Sequence, residues 1–428
     1  MYMAFLIFIK MIANQKIVSK TNIDEAAKRL QEVITRTPLM YNHALSEKYQ
    51  AEVYLKREDL QIVRSYKIRG AYNLISSLDE ESLKKGVVCA SAGNHAQGVA
   101  LSCHLLGVKG TIFMPVTTPN QKIKKVKMFG KDAVEVVLIG DTFDDSQKAA
   151  EKYQLENDLI FVHPFDDYKV MEGQGTVGKE IHDELPDVEV VMVPIGGGGL
   201  ASGVGSYLKT VSPETKVIGV EPEGAASMKA SVAAGKVVRL DKIEKFVDGA
   251  AVQEVGKLTF EVCQNVVDDI VTVNEGKVCS TILALYNEEA IVVEPAGALT
   301  VASLEKVADQ IKGKTVVCVV SGSNNDIDRM QEIKERSLLY EGLKKYFIVR
   351  FPQRAGALKE FVNEVLGPND DITRFEYVKK SLRETGPAIV GIELKYANDY
   401  PGLLARMKAF NPDCQEINDD PALFQYFI

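Results

Sequence analysis

The sequence predicts an α/β protein with two parallel-sheet lobes followed by a smaller α/β module, and three observations carry that expectation. From about residue 64 to residue 325, short apolar runs alternate with stretches of helical period, the pattern of βαβ units with right-handed crossovers. Past a charged tract at residues 326–342 the order becomes strand, helix, strand, strand, helix, strand, which is a ferredoxin-like βαββαβ unit. The length, 428 residues, exceeds what one hydrophobic core fills, so two or three domains are expected. The boundaries read as an extension at 1–20, a main region at 21–325, a helical connector at 326–342 and the C-terminal module at 343–428. Within the main region the smaller lobe spans about 64–165, and the larger lobe takes 21–63 and 166–325.

Composition narrows the function classes. A net charge of −8 leaves no basic footprint, which speaks against nucleic acid or an anionic membrane surface as partner. The six cysteines form no C-x-x-C pair and several sit in apolar runs, so they read as reduced thiols in a cytoplasmic protein. None of the five histidines stands at ligand spacing from a cysteine, and no metal is expected. The opening MYMAFLIFIK is too short to span a bilayer and carries its lysine after the apolar run, so it reads as an extension, not a secretory signal.

Taken in order, Thr21 or Asn22 can cap a helix from Ile23 to Val33, and Val53 to Asp59 is a strand delivering the charged run KREDLQ. A solvated turn is an equal reading for Arg57 and Glu58. Next comes the helix opened by RSYKIRGA, with Ile68, Ala71, Leu74, Ile75 and Leu78 at helical spacing. On a helical wheel Lys67 falls on the inward arc and Arg69 points outward. A desolvated amine with a lowered pKa is what imine formation needs, although on this helix alone a snorkelling lysine is the commoner outcome.

Three further segments change that balance. The strand Val87–Ala90 runs into SAGNHAQG and a helix at His95–Leu106, which leaves free N–H groups of a helix N-terminus facing an anion. Ser91, Ala92, Gly93, Asn94 and His95 are therefore candidates for a substrate carboxylate. The strand Val188–Ile195 ends in Gly196, Gly197, Gly198 and Gly199 before a helix from Leu200 to Leu208, a loop whose backbone can approach a phosphate. With the strand Val217–Val220 and Glu221 beyond, the same loop also reads as a dinucleotide fingerprint. Finally the strand Thr315–Val320 ends in Ser321, whose hydroxyl would face the crevice at the strand's carboxyl end. Glu294, just before Pro295 at a helix start, fits either a ligand contact or an acid favoured by the helix dipole.

Remaining strands are expected at Gly110–Met114, Ala133–Leu138 and Leu159–His163, with helices at Asn120–Phe129 and Thr142–Leu155. In the C-terminal module they are Tyr346–Phe351, Ile372–Val378, Ala388–Leu394 and Gln415–Ile417, with helices Gly356–Val365 and Pro401–Phe410.

SYKIRGA, SAGNHAQG, the tetraglycine loop and SGSNN, in this order, resemble the fold-type II pyridoxal-phosphate enzymes, whose fold is like that of the tryptophan synthase β chain. The wording is most similar to the threonine ammonia-lyases, from about Thr21 onward. The resemblance implies that pyridoxal 5'-phosphate is bound by Lys67, with Asn94 at the ring hydroxyl, Gly196 to Gly199 and Leu200 at the phosphate, Ser321 at the pyridine nitrogen and Glu294 nearby. It makes Lys67 and Ser91 the catalytic candidates, threonine and serine the substrates, and β-elimination the reaction, because a serine hydroxyl beside the ring supports a weaker electron sink than a carboxylate would.

FPQRAGALKEF resembles the opening of the ACT-like regulatory domain of these enzymes, with Ala355 where many have proline. That implies inhibition by isoleucine, with valine as a further effector, and Phe351, Gln353, Gly356 and Leu358 as effector contacts. Relatives of this kind assemble as homotetramers. Ser227 stands where metal-binding racemase relatives carry an acid, which again argues for no metal. The competing readings are a serine racemase or serine dehydratase of the same fold, a nicotinamide-dependent oxidoreductase using Gly197 to Glu221, and a non-catalytic amino-acid sensor.

Overall fold

The computed structural model describes residues 17–377, 385–418 and 420. The expectations for the opening segment to residue 16, for the last residue of the 372–378 strand and for the end of the tail lie outside them. The chain divides into two compact units, one running to Asn274 and resuming at Ile291–Asn325, the other formed by Glu275–Ala290 and the chain from Asp326.

In chain order the strands of the first unit are β1 (Leu39–Tyr41), β2 (Glu52–Arg57), β3 (Val87–Ala90), β4 (Gly110–Met114), β5 (Val134–Leu138), β6 (Ile160–Phe161), β7 (Val190–Pro194), β8 (Lys216–Pro222), β9 (Asp269–Val273) and β10 (Thr315–Val320). They form a six-stranded sheet in the order β1-β2-β10-β7-β8-β9 and a four-stranded sheet in the order β5-β4-β3-β6. All pairings but that of β1 with β2 are parallel. Central β10, with Cys318 opposite both Leu55 and Met192, is a Val-rich run buried from Val316 onward, as a strand covered on both faces requires. The smaller lobe's core gathers Leu74, Ile75, Cys89, Val99, Ile112 and Met114; the larger lobe's gathers Val191, Val193, Val204, Leu208, Val217 and Val319.

The sequence places β3, β4 and β10 at their observed ends, and the departures have tertiary causes. The first helix among the described residues is Lys20–Leu30, with Ser19 at its N-cap and no side-chain cap. Asn22 lies inside it, its amide donating to Glu172 Oε1 at 2.9 Å. The strand expected at Leu159–His163 shortens to β6 because the chain turns at His163. Pro295 does open a helix, but Pro295–Ser303 gives way to a 3-10 turn at Leu304–Val307.

Two charges expected at the surface are interior. Arg69, outward on the wheel, is fully buried, and so is Glu58. The Arg69 guanidinium donates to both Glu58 oxygens (2.8 and 2.7 Å), both Glu180 oxygens (2.7 and 2.9 Å) and Thr176 Oγ1 (3.0 Å). Lys56 Nζ adds an ion pair to Glu180 at 2.7 Å. Burial opposes the Arg69 charge, but Glu58 and Glu180 more than compensate and hold it protonated. A single helix cannot reveal this, because the partners come from residues 58 and 180.

The second unit carries β11 (Lys344–Pro352), β12 (Asp371–Tyr377), β13 (Thr385–Glu393) and β14 (Gln415–Glu416), in an antiparallel sheet ordered β12-β13-β11-β14. The helices Ala357–Val365 and Tyr400–Phe410 complete the expected βαββαβ order. The sequence reading keeps 275–290 in the larger lobe; the helix Glu275–Glu289 instead groups with this unit. Gly276 allows that approach, since a Cβ there would stand 2.4 Å from the Cβ of Tyr340.

Candidate active site

Three candidate segments of the main region follow the carboxyl end of a strand, where an α/β sheet opens its crevice. Ser91 follows β3, Gly196 follows Ile195 beyond β7, and Ser321 follows β10. The backbone ties the segments together: Tyr66 N donates to Ser321 O at 3.2 Å, and Ser65 bridges to Gly322.

Lys67 is the first residue of the helix Lys67–Ser76 and is partly accessible to solvent. Its Nζ donates to Pro164 O at 2.8 Å. Desolvation pulls its pKa down to about 8, against the opposing field of Glu294. An ammonium that needed neutralising would have a carboxylate within reach, as Arg69 does. Lys67 has a carbonyl, and so its neutral form is within easy reach near pH 8.

Two helix N-termini open toward this region without side-chain caps. One belongs to Asn94–Leu106, with Gly93 at its N-cap. Its first turn leaves the N–H groups of Asn94, His95 and Ala96 free of helical partners, and a Cβ added to Gly93 would meet nothing within 4 Å. Ser91 Oγ accepts from Gly93 N at 3.2 Å, so the hydroxyl shapes the turn. His95 is buried with Nε2 2.7 Å from Val162 O, and burial first, then the Lys67 charge, lowers it to about 3. It is a neutral imidazole, offering its backbone and not a charge. Ala92 is half-buried beside Gly93.

The other terminus belongs to Gly199–Val211, capped by Gly198 at φ +96°. Side chains are excluded along the loop: a Cβ on Gly196 would stand 3.0 Å from Ala250 Cα, on Gly197 2.3 Å from the Phe165 ring, and on Gly199 2.5 Å from Gln174 Oε1. Only backbone can line this turn, with buried Leu200 following it. Such a terminus is suited to a phosphate.

Ser321 is 2 % exposed, and its hydroxyl makes no hydrogen bond to the described residues. Glu294 leaves its own helix uncapped and instead accepts from Asn94 Nδ2 (2.7 Å) and Asn324 N (3.1 Å). Burial, reinforced by Asp248, raises it to about 7. Asn324 also donates to Asn94 Oδ1 at 2.7 Å and accepts from Lys125 Nζ at 3.0 Å. A group with an aldehyde, a phosphate and a ring acceptor fits this donor set: one desolvated amine, one all-glycine helix terminus and one unspent hydroxyl.

The dinucleotide reading of Glu221 fails on geometry. It is fully buried, and its oxygens accept from Met228 N and Lys229 N at 2.7 and 2.8 Å, so no carboxylate is left for a ribose. Among the described residues no group of three or more His, Cys, Asp or Glu side chains could hold a metal ion, and no helix is long and apolar enough to cross a membrane. All six cysteines are free.

The sequence reading assigns no site role to His163, Pro164, Phe165, Gln174 or Thr259, nor to Asn324 within SGSNN, and all of them border the site. The signal that could have found the first three is positional: HPFDD follows β6 as SAGNH follows β3. In the C-terminal unit Phe351 is 2 % exposed and packs against Phe361 and Phe375, a core position with no face left for an effector. Gln353 has a buried, unpartnered Nε2 near Gly386, Gly356 takes φ +83° before the helix, and Leu358 is exposed.

Fold and site together define a two-lobed α/β protein that offers a lysine amine and a phosphate cradle to one ligand. Known proteins give that class a name: residues 30–322 match the family described as "Pyridoxal-phosphate dependent enzyme", and residues 335–427 match "C-terminal regulatory domain of Threonine dehydratase". The chain belongs to the pyridoxal-phosphate-dependent enzymes, in the branch that carries a threonine-dehydratase regulatory domain. It is 59 % identical over 404 residues to "L-threonine dehydratase biosynthetic IlvA" of Halalkalibacterium halodurans, covering 94 % of this chain and 97 % of that one. To the protein of the same name from Bacillus subtilis it is 57 % identical over 419 residues, covering 98 % and 99 %. Among solved structures it is similar to the processed form of threonine deaminase isoform 2 from Solanum lycopersicum, with a TM-score of 0.71 and 39 % identity over 76 % of this chain and 96 % of that one. Maize serine racemase gives 0.69 and 30 %, over 76 % and 98 %.

Proposed function

We propose that this enzyme converts L-threonine to 2-oxobutanoate and ammonia, and L-serine to pyruvate and ammonia, as the first step of isoleucine biosynthesis in the cytoplasm. The observation that carries this reading is Lys67, a desolvated amine paired to a carbonyl and placed among two uncapped helix termini and an unspent serine hydroxyl. The near full-length identity to threonine dehydratases supports the choice of substrate.

Bound pyridoxal phosphate supplies the electron sink that makes a Cα proton removable. The chain supplies the rest. Gly196 to Gly199 and Leu200 would hold the phosphate through N–H groups, and Asn94, held by Glu294 and Asn324, would meet the ring. Of the Ser91 to His95 N–H groups, those of Ala92, Asn94 and His95 are proposed to take the substrate carboxylate at the open terminus before Asn94, because Ser91 N already donates to Phe113 O and Gly93 N to Ser91 Oγ. Lys67, near neutrality at pH 8, takes the Cα proton. Ser321 would offer the ring nitrogen a neutral hydroxyl in place of a carboxylate, which favours loss of the β-hydroxyl.

Serine is accepted because the loss of one methyl contact costs only about 1–3 kcal/mol. The C-terminal unit is proposed to bind isoleucine as feedback inhibitor, with valine as a second effector, in a homotetramer. Gln353, Gly356 and Leu358, in the turn after β11, are proposed as the effector contacts. A coupled assay for 2-oxobutanoate, run with and without isoleucine, tests both statements. Threonine-dependent product that isoleucine suppresses is expected; no product from threonine would overturn the catalytic reading.

A further inference from the structure

The turn after β6, His163 to Asp167, meets Lys67, the glycine loop and the start of the helix Lys257–Val266. His163 Nδ1 accepts from Phe165 N at 3.2 Å and Asp166 N at 2.7 Å. This is the pattern that Asp167 Oδ1 makes a few residues later with Lys169 N and Val170 N, at 2.6 and 3.3 Å. The backbone is thus wound around its own imidazole, as Asn and Asp wind local turns.

Each residue the turn presents has a separate task. Pro164 O receives the Lys67 amine at 2.8 Å. The Phe165 ring fills the space beside Gly197, and its Cα would be 3.1 Å from a Cβ on Gly199. Asp166 accepts from the N–H groups of Lys257, Leu258 and Thr259 at 3.0, 2.9 and 3.0 Å, supplying the cap that Gly256 lacks. That helix returns to the glycine loop, because Thr259 Oγ1 donates to Gly197 O at 2.6 Å. One turn therefore sets the lysine nitrogen and the phosphate loop relative to each other.

The imidazole must be unprotonated to do this, since Nδ1 needs its lone pair for two N–H donors. Burial lowers His163 to about 4, outweighing Asp166 and aided by the Lys67 charge. Resting on the reading of Lys67 as the cofactor lysine, we propose that His163 is a positioning residue. By accepting the Phe165 and Asp166 N–H groups it fixes the turn that holds the Lys67 nitrogen against the glycine loop, and so governs how tightly pyridoxal phosphate is bound.

The test compares the full-length apoenzyme with His163→Asn, His163→Ala and His163→Gln variants. Asparagine places Oδ1 where Nδ1 stands, alanine removes the acceptor, and glutamine carries it one carbon further out. Pyridoxal phosphate affinity is read from the visible band on titration, and attachment to Lys67, which forms with loss of one water, from borohydride trapping and peptide mass. Circular dichroism checks folding. His163→Ala is expected to bind at least about tenfold more weakly, because two part-buried N–H groups lose their acceptor and the turn its anchor. His163→Asn should stay within about threefold of wild type, as an equivalent acceptor would.

Wild-type affinity and trapping in His163→Ala, or equal loss in Ala and Asn, would overturn the proposal. Should His163→Ala not fold, the amide pair decides: Asn near wild type with Gln weakened supports it, and equal binding by both overturns it. A wild-type enzyme that takes up no pyridoxal phosphate at Lys67 would instead sink the functional reading, and this inference with it.

Discussion

Lys67 and Arg69 lie two residues apart at the start of one helix, yet they belong to opposite kinds of environment. Arg69 is enclosed by Glu58, Glu180 and Thr176 with all three guanidinium nitrogens engaged. Lys67 has a single carbonyl and a lowered pKa. A buried charge whose partners are complete is held in one state and contributes structure. An amine with too few partners can change its protonation state, which is the property a reaction uses. The same contrast separates Glu58, locked in its ion pair with Arg69, from Glu294, raised to about 7 by burial.

Breaking each side of this comparison should have different consequences. Lys67→Ala is expected to lower turnover by about a thousandfold or more while the apoprotein unfolds at the same or a higher denaturant midpoint, since the variant loses a base but relieves a desolvated amine. Arg69→Met should do the reverse. It leaves Glu58 buried without its cation and Glu180 with Lys56 alone, at a cost of about 3–5 kcal/mol in equilibrium unfolding. A fully stable Arg69→Met would show that the network is not a structural lock.

Two smaller effects sharpen the contrast. Ser321→Ala gives up no protein hydrogen bond, so stability should hold, while activity falls by about two- to tenfold from one lost neutral hydrogen bond. A large drop in unfolding midpoint would refute that view of Ser321. The pH dependence has a definite sign. Only the neutral Lys67 amine joins an aldehyde, so pyridoxal phosphate uptake by the apoenzyme should accelerate as pH rises through about 8. In linkage terms the folded pKa lies below the unfolded value of about 10.5, so this group's stabilising contribution is complete above pH 10.5 and is lost as pH falls through 8. An uptake midpoint near 10 would mean the amine is fully solvated.

Much was readable from residue order. The Val-rich runs, the tetraglycine turn and the SAGNH start mark strands and helix termini by rules that act over a few residues, and Gly196 to Gly199 need no distant partner to be recognised as a backbone-only loop. Periodicity likewise specified the βαββαβ module, because burial of one face repeats within each element. Arg69 could not be assigned that way, nor could Glu294, His163 or the place of the helix Glu275–Glu289. Their roles depend on what other parts of the chain bring within about 3 Å. The sequence determined which local shapes exist and which of them could meet an anion or an amine. The tertiary structure decided which charges are satisfied, since desolvation and hydrogen bonding are set by neighbours remote in the chain, and that distinction left Lys67 an amine able to lose its proton and Arg69 a fixed cation.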